Sequence, residues 1–206
     1  MRFKIISSAA LLAIVGFGFT GSVYAKSPID AIASSQAYAR TALSENPSES
    51  ASAIAALRSQ GPAGLQAFLN TYGDDLKRSQ LQAIRATPPR SVFAPQEKRL
   101  RAALDAICKQ RDCYASQLYW YTNLAQAKAA AKASGKPILS LRLLGRLDED
   151  LSCANSRFFR IALYPNAEVS KVLRDRFILH WQSVRPVPKV TIDFGDGRKL
   201  ERTLTG

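Results

Sequence analysis

The residues best suited to chemistry are Cys153 and Ser156, which place a thiol and a hydroxyl three positions apart at the predicted start of a helix. Backbone N–H groups and the helix dipole lower the pKa of a thiol in that position. The thiolate could attack a disulfide and form a mixed disulfide. Ser156 could not release the product, because a hydroxyl is not redox active. If Cys153 is reactive, the pair can therefore support monothiol chemistry but not a dithiol cycle.

Two further cysteines, Cys108 and Cys113, enclose the short loop Cys-Lys-Gln-Arg-Asp-Cys. The simplest pairing is a local disulfide between them that leaves Cys153 free, although other pairings stay open. The ring would be very small, so its main effect would be to fix the turn. Three cysteines and the distant His180 do not have the spacing of metal ligands, and no metal site is predicted.

A relic or packing role for Cys153 is favoured over this activity, since free cysteines are often buried and inert. A disulfide to another chain, or to Cys108 or Cys113, stays open as a further alternative. The acidic residues Asp148, Glu149 and Asp150 come just before it and would oppose formation of a thiolate. His180 lies in a predicted buried strand with no carboxylate or nucleophile nearby in sequence. We expect it to be a hydrogen-bonded core residue rather than a catalytic one.

The first 25 residues have the pattern of a secretory signal peptide. Arg2 and Lys4 precede an apolar run over residues 5–19, and a small-residue motif ends at Ala25, the predicted cleavage site. The alternative is an uncleaved anchor, but the run is short for a span of about 20 residues. An extracytoplasmic location, periplasmic or secreted, would allow disulfides to form.

The chain has a formal net charge of +13, and the excess is concentrated between residues 77 and 111. Nine lysines and arginines occur there against two acids, Glu97 and Asp105. A nucleic-acid surface is one interpretation, but no aromatic stacking pattern or binding module accompanies it. A solvated basic face near an anionic envelope is favoured.

Short helices are predicted throughout residues 26–87. The first begins at Pro28, and Asn46 with Glu49 forms a capping box for the second. A third runs from Pro62 to a stop at Gly73, and a fourth continues to about residue 85. Prolines 88 and 89 end this region. Residues 88–117 then form a connecting helix, with Leu100, Ala103, Leu104 and Ile107 on its buried face, and the cysteine loop.

Residues 118–206 have the pattern of an α/β domain. Leu118–Tyr121 predicts a strand or the approach to one, and Asn123 caps a helix that ends at Gly135. Ile138–Leu144 is rich in large aliphatic residues and predicts a strand covered on both faces. Strand, helix and strand in this order indicate a βαβ unit.

The order of segments from 118 to 194 resembles the thioredoxin-like domains of exported bacterial proteins. The matching segments are Gly135-Lys136-Pro137-Ile138-Leu139, Cys153-Ala154-Asn155-Ser156, Phe158 and Phe159, Pro165-Asn166-Ala167-Glu168-Val169 with Leu173, and Arg176-Phe177-Ile178-Leu179. The resemblance implies a thioredoxin-like fold with Cys153 at the redox position.

Several features depart from that family. Ser156 replaces its second cysteine, and Leu151 and Ser152 stand where a tryptophan is usual. Residues 189–194 and 198–204 predict an extra hairpin around Gly195-Asp196-Gly197. The family's last strands would then lie beyond Gly206, so we expect an incomplete thioredoxin-like domain.

These observations predict an exported, non-catalytic structural or interaction module. The alternative is a monothiol thiol–disulfide exchange protein that acts through Cys153. A protein, protein thiols or an anionic envelope surface would be the partner, and nucleic acid is disfavoured. No cofactor and no transmembrane span after signal removal are expected.

Overall fold

The structure is a computed structural model that describes residues 28–85, 93–149 and 152–203. The predicted signal peptide and the prolines at 88 and 89 lie outside these ranges. Within them the chain is mixed α/β, with seven α-helices and four strands, and the helices come first. The elements are α1 (Pro28–Thr41), α2 (Pro47–Ser59), α3 (Pro62–Arg85), α4 (Pro95–Cys108), α5 (Leu124–Ser134), β1 (Ile138–Leu144), α6 (Ala154–Phe158), α7 (Ala167–Arg176), β2 (Ile178–Arg185), β3 (Lys189–Asp193) and β4 (Lys199–Thr203).

Helices α1 to α4 share one apolar core. Its centre is formed by Leu57, Phe68, Leu104 and Ile107, all fully buried. Asn46 caps α2 as predicted, because its side chain accepts a hydrogen bond from the Ser48 N–H at 3.0 Å. The predicted capping box is not formed: the Asn46 N–H donates to the Ser44 hydroxyl, and the Glu49 carboxylate accepts from the Asn46 side chain instead. Helix α4, from the predicted connecting segment, packs into the same core as the three helices before it.

The predicted helix break at Gly73 is wrong. Helix α3 runs without interruption for 24 residues, through Gly73. Leu76, one turn later, is buried in the same core as Leu65 and Phe68. Continuing the helix keeps that apolar stripe facing the core, and this burial outweighs the cost of about 1 kcal/mol of a glycine in a helix interior.

Strands β1 and β2 are parallel and pair from Ile138 with Ile178 onward. Tyr121 adds a bridge on the other side of β2: its N–H donates to the Leu179 carbonyl at 2.8 Å, and its carbonyl accepts from the Trp181 N–H at 3.1 Å. Tyr121, β2 and β1 therefore lie side by side in that order, so the predicted strand near residue 121 is a single bridging residue.

Helix α5 forms the crossover between Tyr121 and β1, with the predicted ends. Asn123 accepts from the Gln126 N–H at 3.1 Å, and Gly135 closes the helix with a φ of +70°. The helix packs mainly on β2 rather than β1. Ser140 and Arg142 of β1 are exposed as a result, so the prediction that this strand is covered on both faces is wrong.

Residues 118–121 join the helical core to the sheet core. In this extended segment successive side chains point to opposite sides. Leu118 and Trp120 are buried in the sheet core, and Tyr119 is buried in the helical core. Arg58 of α2 strengthens the junction: its guanidinium donates to the main-chain carbonyls of Ile107 and, at 3.1 Å, Trp120.

Strands β3 and β4 form the predicted hairpin. They pair antiparallel, with Asp193 opposite Lys199. Gly195 and Gly197 occupy the turn with φ values of +75° and +84°, which favour glycine. The hairpin is a separate two-stranded sheet and does not extend the β1–β2 pair.

Candidate functional site

The candidate site lies where β1 leads into α6. Cys153 is the N-cap residue of α6, and its N–H donates to the Leu144 carbonyl of β1 at 3.3 Å. Its carbonyl accepts from the Arg157 N–H at 3.0 Å, which begins the helix. The thiol is half-buried and free. The predicted position of Cys153 at a helix start is confirmed.

Ser156 contacts the sulfur directly. The Cys153 Sγ and Ser156 Oγ atoms are 3.0 Å apart, and the Ser156 N–H donates to the sulfur at 3.4 Å. Ser156 is fully buried. Burial alone raises the pKa of the Cys153 thiol, but the hydrogen bonds from the Ser156 hydroxyl and N–H outweigh it, and the pKa lies below its usual value. The pair therefore stabilises a thiolate without supplying a second thiol.

The acidic residues before the site are paired in ways that the sequence did not indicate. Asp148 lies 2.8 Å from Arg146 Nη2 and 3.5 Å from Lys109 Nζ, and Glu149 lies 3.2 Å from Arg146 Nε. Burial raises the pKa of Asp148, but its bonds with Arg146 outweigh this and hold the pKa below its usual value. Their negative charge is compensated locally, so two of the three acids oppose the thiolate less than predicted. The third, Asp150, lies outside the described residues.

Exposed apolar residues follow the cysteine on α6 and on the turn after it. The side chains of Phe158 and Ile161 are 60% and 69% exposed. Ile161 belongs to a π-helical turn, Phe159–Leu163, that follows α6 directly. Such turns are rare and are frequently found at functional sites. The sequence placed Phe158 on the helix but gave no sign that it faces outward.

The π-helical turn is anchored to the cysteine loop. Arg160 is buried, and its Nη1 lies 3.3 Å from Asp112 in that loop. There the structure joins Cys108 and Cys113 in a disulfide with the Cα atoms 6.3 Å apart, and both residues are fully buried. In the described ranges, therefore, Cys153 is the one free thiol, and neither partner of the disulfide is open to solvent.

His180 and the basic segment do not join the site. His180 is buried in β2, and its Nδ1 atom lies 2.7 Å from the Ser140 hydroxyl, so it is a hydrogen-bonded core residue as predicted. Burial lowers its pKa. The structure describes the side chains of seven of the nine basic residues between 77 and 111, and six of these seven have carboxylate partners within 4.0 Å. This compensation favours the solvated basic face over a nucleic-acid surface.

Among the described residues, no cluster of three or more histidine, cysteine, aspartate or glutamate side chains could hold a metal ion. The helices in the same ranges include none that combines the length and the apolar character needed to cross a membrane. Comparison with protein-family models, with curated proteins and with solved structures gave no match. The class that fold and site define is thus a mixed α/β protein with a helix-capping free cysteine.

Proposed function

We propose that the chain is an exported thioredoxin-like protein that acts as an interaction module, with the partner bound on the surface around Cys153. One observation carries the proposal: fully buried Ser156 hydrogen-bonds to Cys153, at the place where the thioredoxin-like resemblance leads us to expect a second cysteine. The remaining cysteines are closed in a buried disulfide. A dithiol cycle therefore has no second thiol among the described residues, and the exposed surface is left to act by binding.

The chemistry of this surface defines its partner. Phe158 and Ile161 would pack against an apolar segment, since burying exposed apolar area is favourable. Arg157 directly precedes Phe158, and the whole chain carries a formal charge of +13. Acidic residues beside the apolar segment would be attracted by this charge. The partner is thus an exported protein with an apolar segment flanked by acidic residues.

A photo-crosslinking side chain at position 161 tests this proposal in the full-length chain, expressed and exported. We expect one adduct of defined mass, with the crosslinked segment of the partner both apolar and flanked by acids. The adduct should persist in Cys153→Ala. Position 172 on α7 is the matched control, because Val172 is also exposed, at 45%. No adduct at 161, or the same adduct from both positions, would refute the proposal.

Monothiol exchange is a second candidate, favoured by the hydrogen bonds to the Cys153 sulfur. The thiolate would attack one sulfur of a protein disulfide, form a mixed disulfide and expel the other sulfur as a thiolate, which takes up a proton. The thiolate of a small-molecule thiol would then attack the partner's sulfur in the mixed disulfide, form a new disulfide with the partner and release the Cys153 thiolate. In that case the adduct at position 161 would depend on Cys153.

The rate of alkylation of Cys153 as a function of pH measures the effect of Ser156. Ser156→Ala is expected to shift the apparent thiol pKa upward, because it removes the hydroxyl 3.0 Å from the sulfur. Ser152→Ala is the matched control: the Ser152 hydroxyl is buried and has no hydrogen-bond partner in the described part of the chain. Equal profiles for the two variants would show that Ser156 does not stabilise the thiolate.

A further inference from the structure

A concave site lies at the opposite end of the parallel strands from Cys153. It is a cleft of about 310 Å³ between the first turns of α3 and the beginning of β2. Leu65 and Leu69 line it from α3, and Tyr121, Ile178 and Leu179 line it from the sheet. Small-molecule sites range from about 300 to 1,000 Å³, so the volume fits a small ligand.

Two cations line one part of this largely apolar cleft. Lys136 donates through Nζ to the Arg174 carbonyl at 3.0 Å, and Arg174 donates through Nη1 to the Ser116 carbonyl at 2.8 Å. These bonds hold both side chains in place and use a small part of their donors, since an ammonium has three N–H groups and a guanidinium five. The cleft therefore presents positioned positive charge beside apolar walls.

The negative charge near these cations lies outside the cleft. Within the described ranges, no acidic residue lines it. Asp175 is close enough for Arg174 and Lys136 to affect its pKa, but the hydrogen bond with Lys171 is the main cause that lowers this pKa. The Asp175 carboxylate is turned to Lys171, at 2.5 Å, and is exposed. An anion in the cleft would thus lie near two cations, and no acidic side chain among the described lining residues would compete with it for them.

We infer that the cleft binds a small amphipathic carboxylate, with its apolar chain against Leu65, Leu69 and Ile178 and its carboxylate on Lys136 and Arg174. Apolar burial would supply affinity, and charge-assisted hydrogen bonds would fix the orientation. The same chemistry is offered by a free aliphatic acid and by the carboxy-terminal residue of a peptide. This inference does not depend on the role of Cys153.

Calorimetric titration of the full-length chain with octanoate tests the inference, with octanol as the uncharged analogue. Octanoate should bind at least about tenfold more tightly than octanol, the effect of one charge-assisted hydrogen bond worth about 1.4 kcal/mol. The double variant Lys136→Gln/Arg174→Gln should lose that preference. A Leu-Leu dipeptide, with either a free or an amidated carboxy terminus, distinguishes a free aliphatic acid from a peptide terminus as the ligand. If the dipeptide with the free carboxylate binds at least as tightly as octanoate, the ligand is the carboxy-terminal end of a peptide.

Lys132→Gln/Arg176→Gln is the matched control, because it removes the same charge from exposed positions that do not line the cleft. It should bind octanoate like the parent protein. Leu69→Trp should weaken octanoate and octanol alike by filling the cleft, and its far-ultraviolet circular dichroism checks that it folds. The inference would be overturned if octanoate did not bind or bound no more tightly than octanol. It would also be overturned if Lys132→Gln/Arg176→Gln lost as much octanoate affinity as Lys136→Gln/Arg174→Gln.

Discussion

Replacing Gly64 with alanine is expected to destabilise the folded protein by roughly 3 kcal/mol, the upper part of the usual range for overpacking. Gly64 lies in the first turn of α3 where this helix meets Leu57 at the end of α2. A Cβ atom there would overlap the Leu57 carbonyl oxygen and lie 2.7 Å from its carbonyl carbon. The clash is with backbone atoms, so it cannot be relieved by rotation of a side chain. The two helices would have to separate across the fully buried Leu57.

Gly73→Ala provides the matched control in the same helix. A Cβ atom at Gly73 meets nothing within 4 Å. Alanine should therefore stabilise α3 by about 0.5–1 kcal/mol through the lower backbone entropy of the unfolded chain. Urea unfolding followed by circular dichroism measures both free energies. If the two variants change stability by the same amount and sign, the close approach of α2 and α3 at Gly64 is not present.

The difference between these glycines explains which helix boundaries the sequence predicted. Asn46, Asn123 and Gly135 act through local hydrogen bonds and backbone angles, and their caps were predicted correctly. Gly73 carries the same signal as a helix terminator, but tertiary burial of the next apolar turn overrides it. Helix ends that are set by local capping interactions can be predicted from the sequence. Helix ends that depend on the balance between a local preference and burial in the core cannot.

The coverage of the strands shows the same limit. The composition of β1 predicted burial on both faces, yet Ser140 and Arg142 are exposed because α5 packs mainly on β2. The hydrogen bonds of Arg58 at the junction of the two cores could not be predicted from the sequence either. It is one of 29 basic residues, and the carbonyls it binds lie 49 and 62 positions away. Contacts at such separations leave no local pattern.

The placement of the thiol and the hydroxyl in the candidate site was predictable, whereas the electrostatics of the site were not. A cysteine at a helix start with serine three positions later was readable from the sequence, and the structure places the two side chains in contact. Arg146 compensates most of the Asp148 charge, and Lys109, which comes from the distant cysteine loop, adds to it. The exposure of Ile161 depends on how the π-helical turn is set against the cysteine loop. These features arise only from the tertiary arrangement.

Asp105 is expected to make the protein less stable as the pH rises from 4 to 7. It is mostly buried in α4, beside the disulfide, where it accepts a hydrogen bond from the Cys113 N–H at 2.9 Å. Burial raises its pKa from 3.8 to about 6, although this bond and Arg111, with Nε 3.9 Å from the carboxylate, act in the opposite direction. The nearby Asp112 carboxylate adds to the rise.

The direction of this change in stability with pH follows from proton binding to Asp105. Between pH 3.8 and about 6 the folded state holds a proton on Asp105 that the unfolded state has released, so raising the pH favours unfolding. The stability present below the unfolded pKa is lost once the pH exceeds the folded pKa. At 1.36 kcal/mol for each pKa unit, the loss is roughly 3 kcal/mol.

Asp105→Asn removes this titration and keeps a carbonyl oxygen for the Cys113 N–H. The free energy of unfolding of this variant should equal that of the parent protein at pH 4 and exceed it by up to roughly 3 kcal/mol at pH 7. Urea unfolding with the disulfide intact measures both values. Asp196→Asn is the control with the opposite sign, because hydrogen bonds from the Arg198 N–H and side chain hold the pKa of exposed Asp196 below its usual value. A stability difference between Asp105→Asn and the parent that does not change with pH would show that this carboxyl group ionises normally in the folded state.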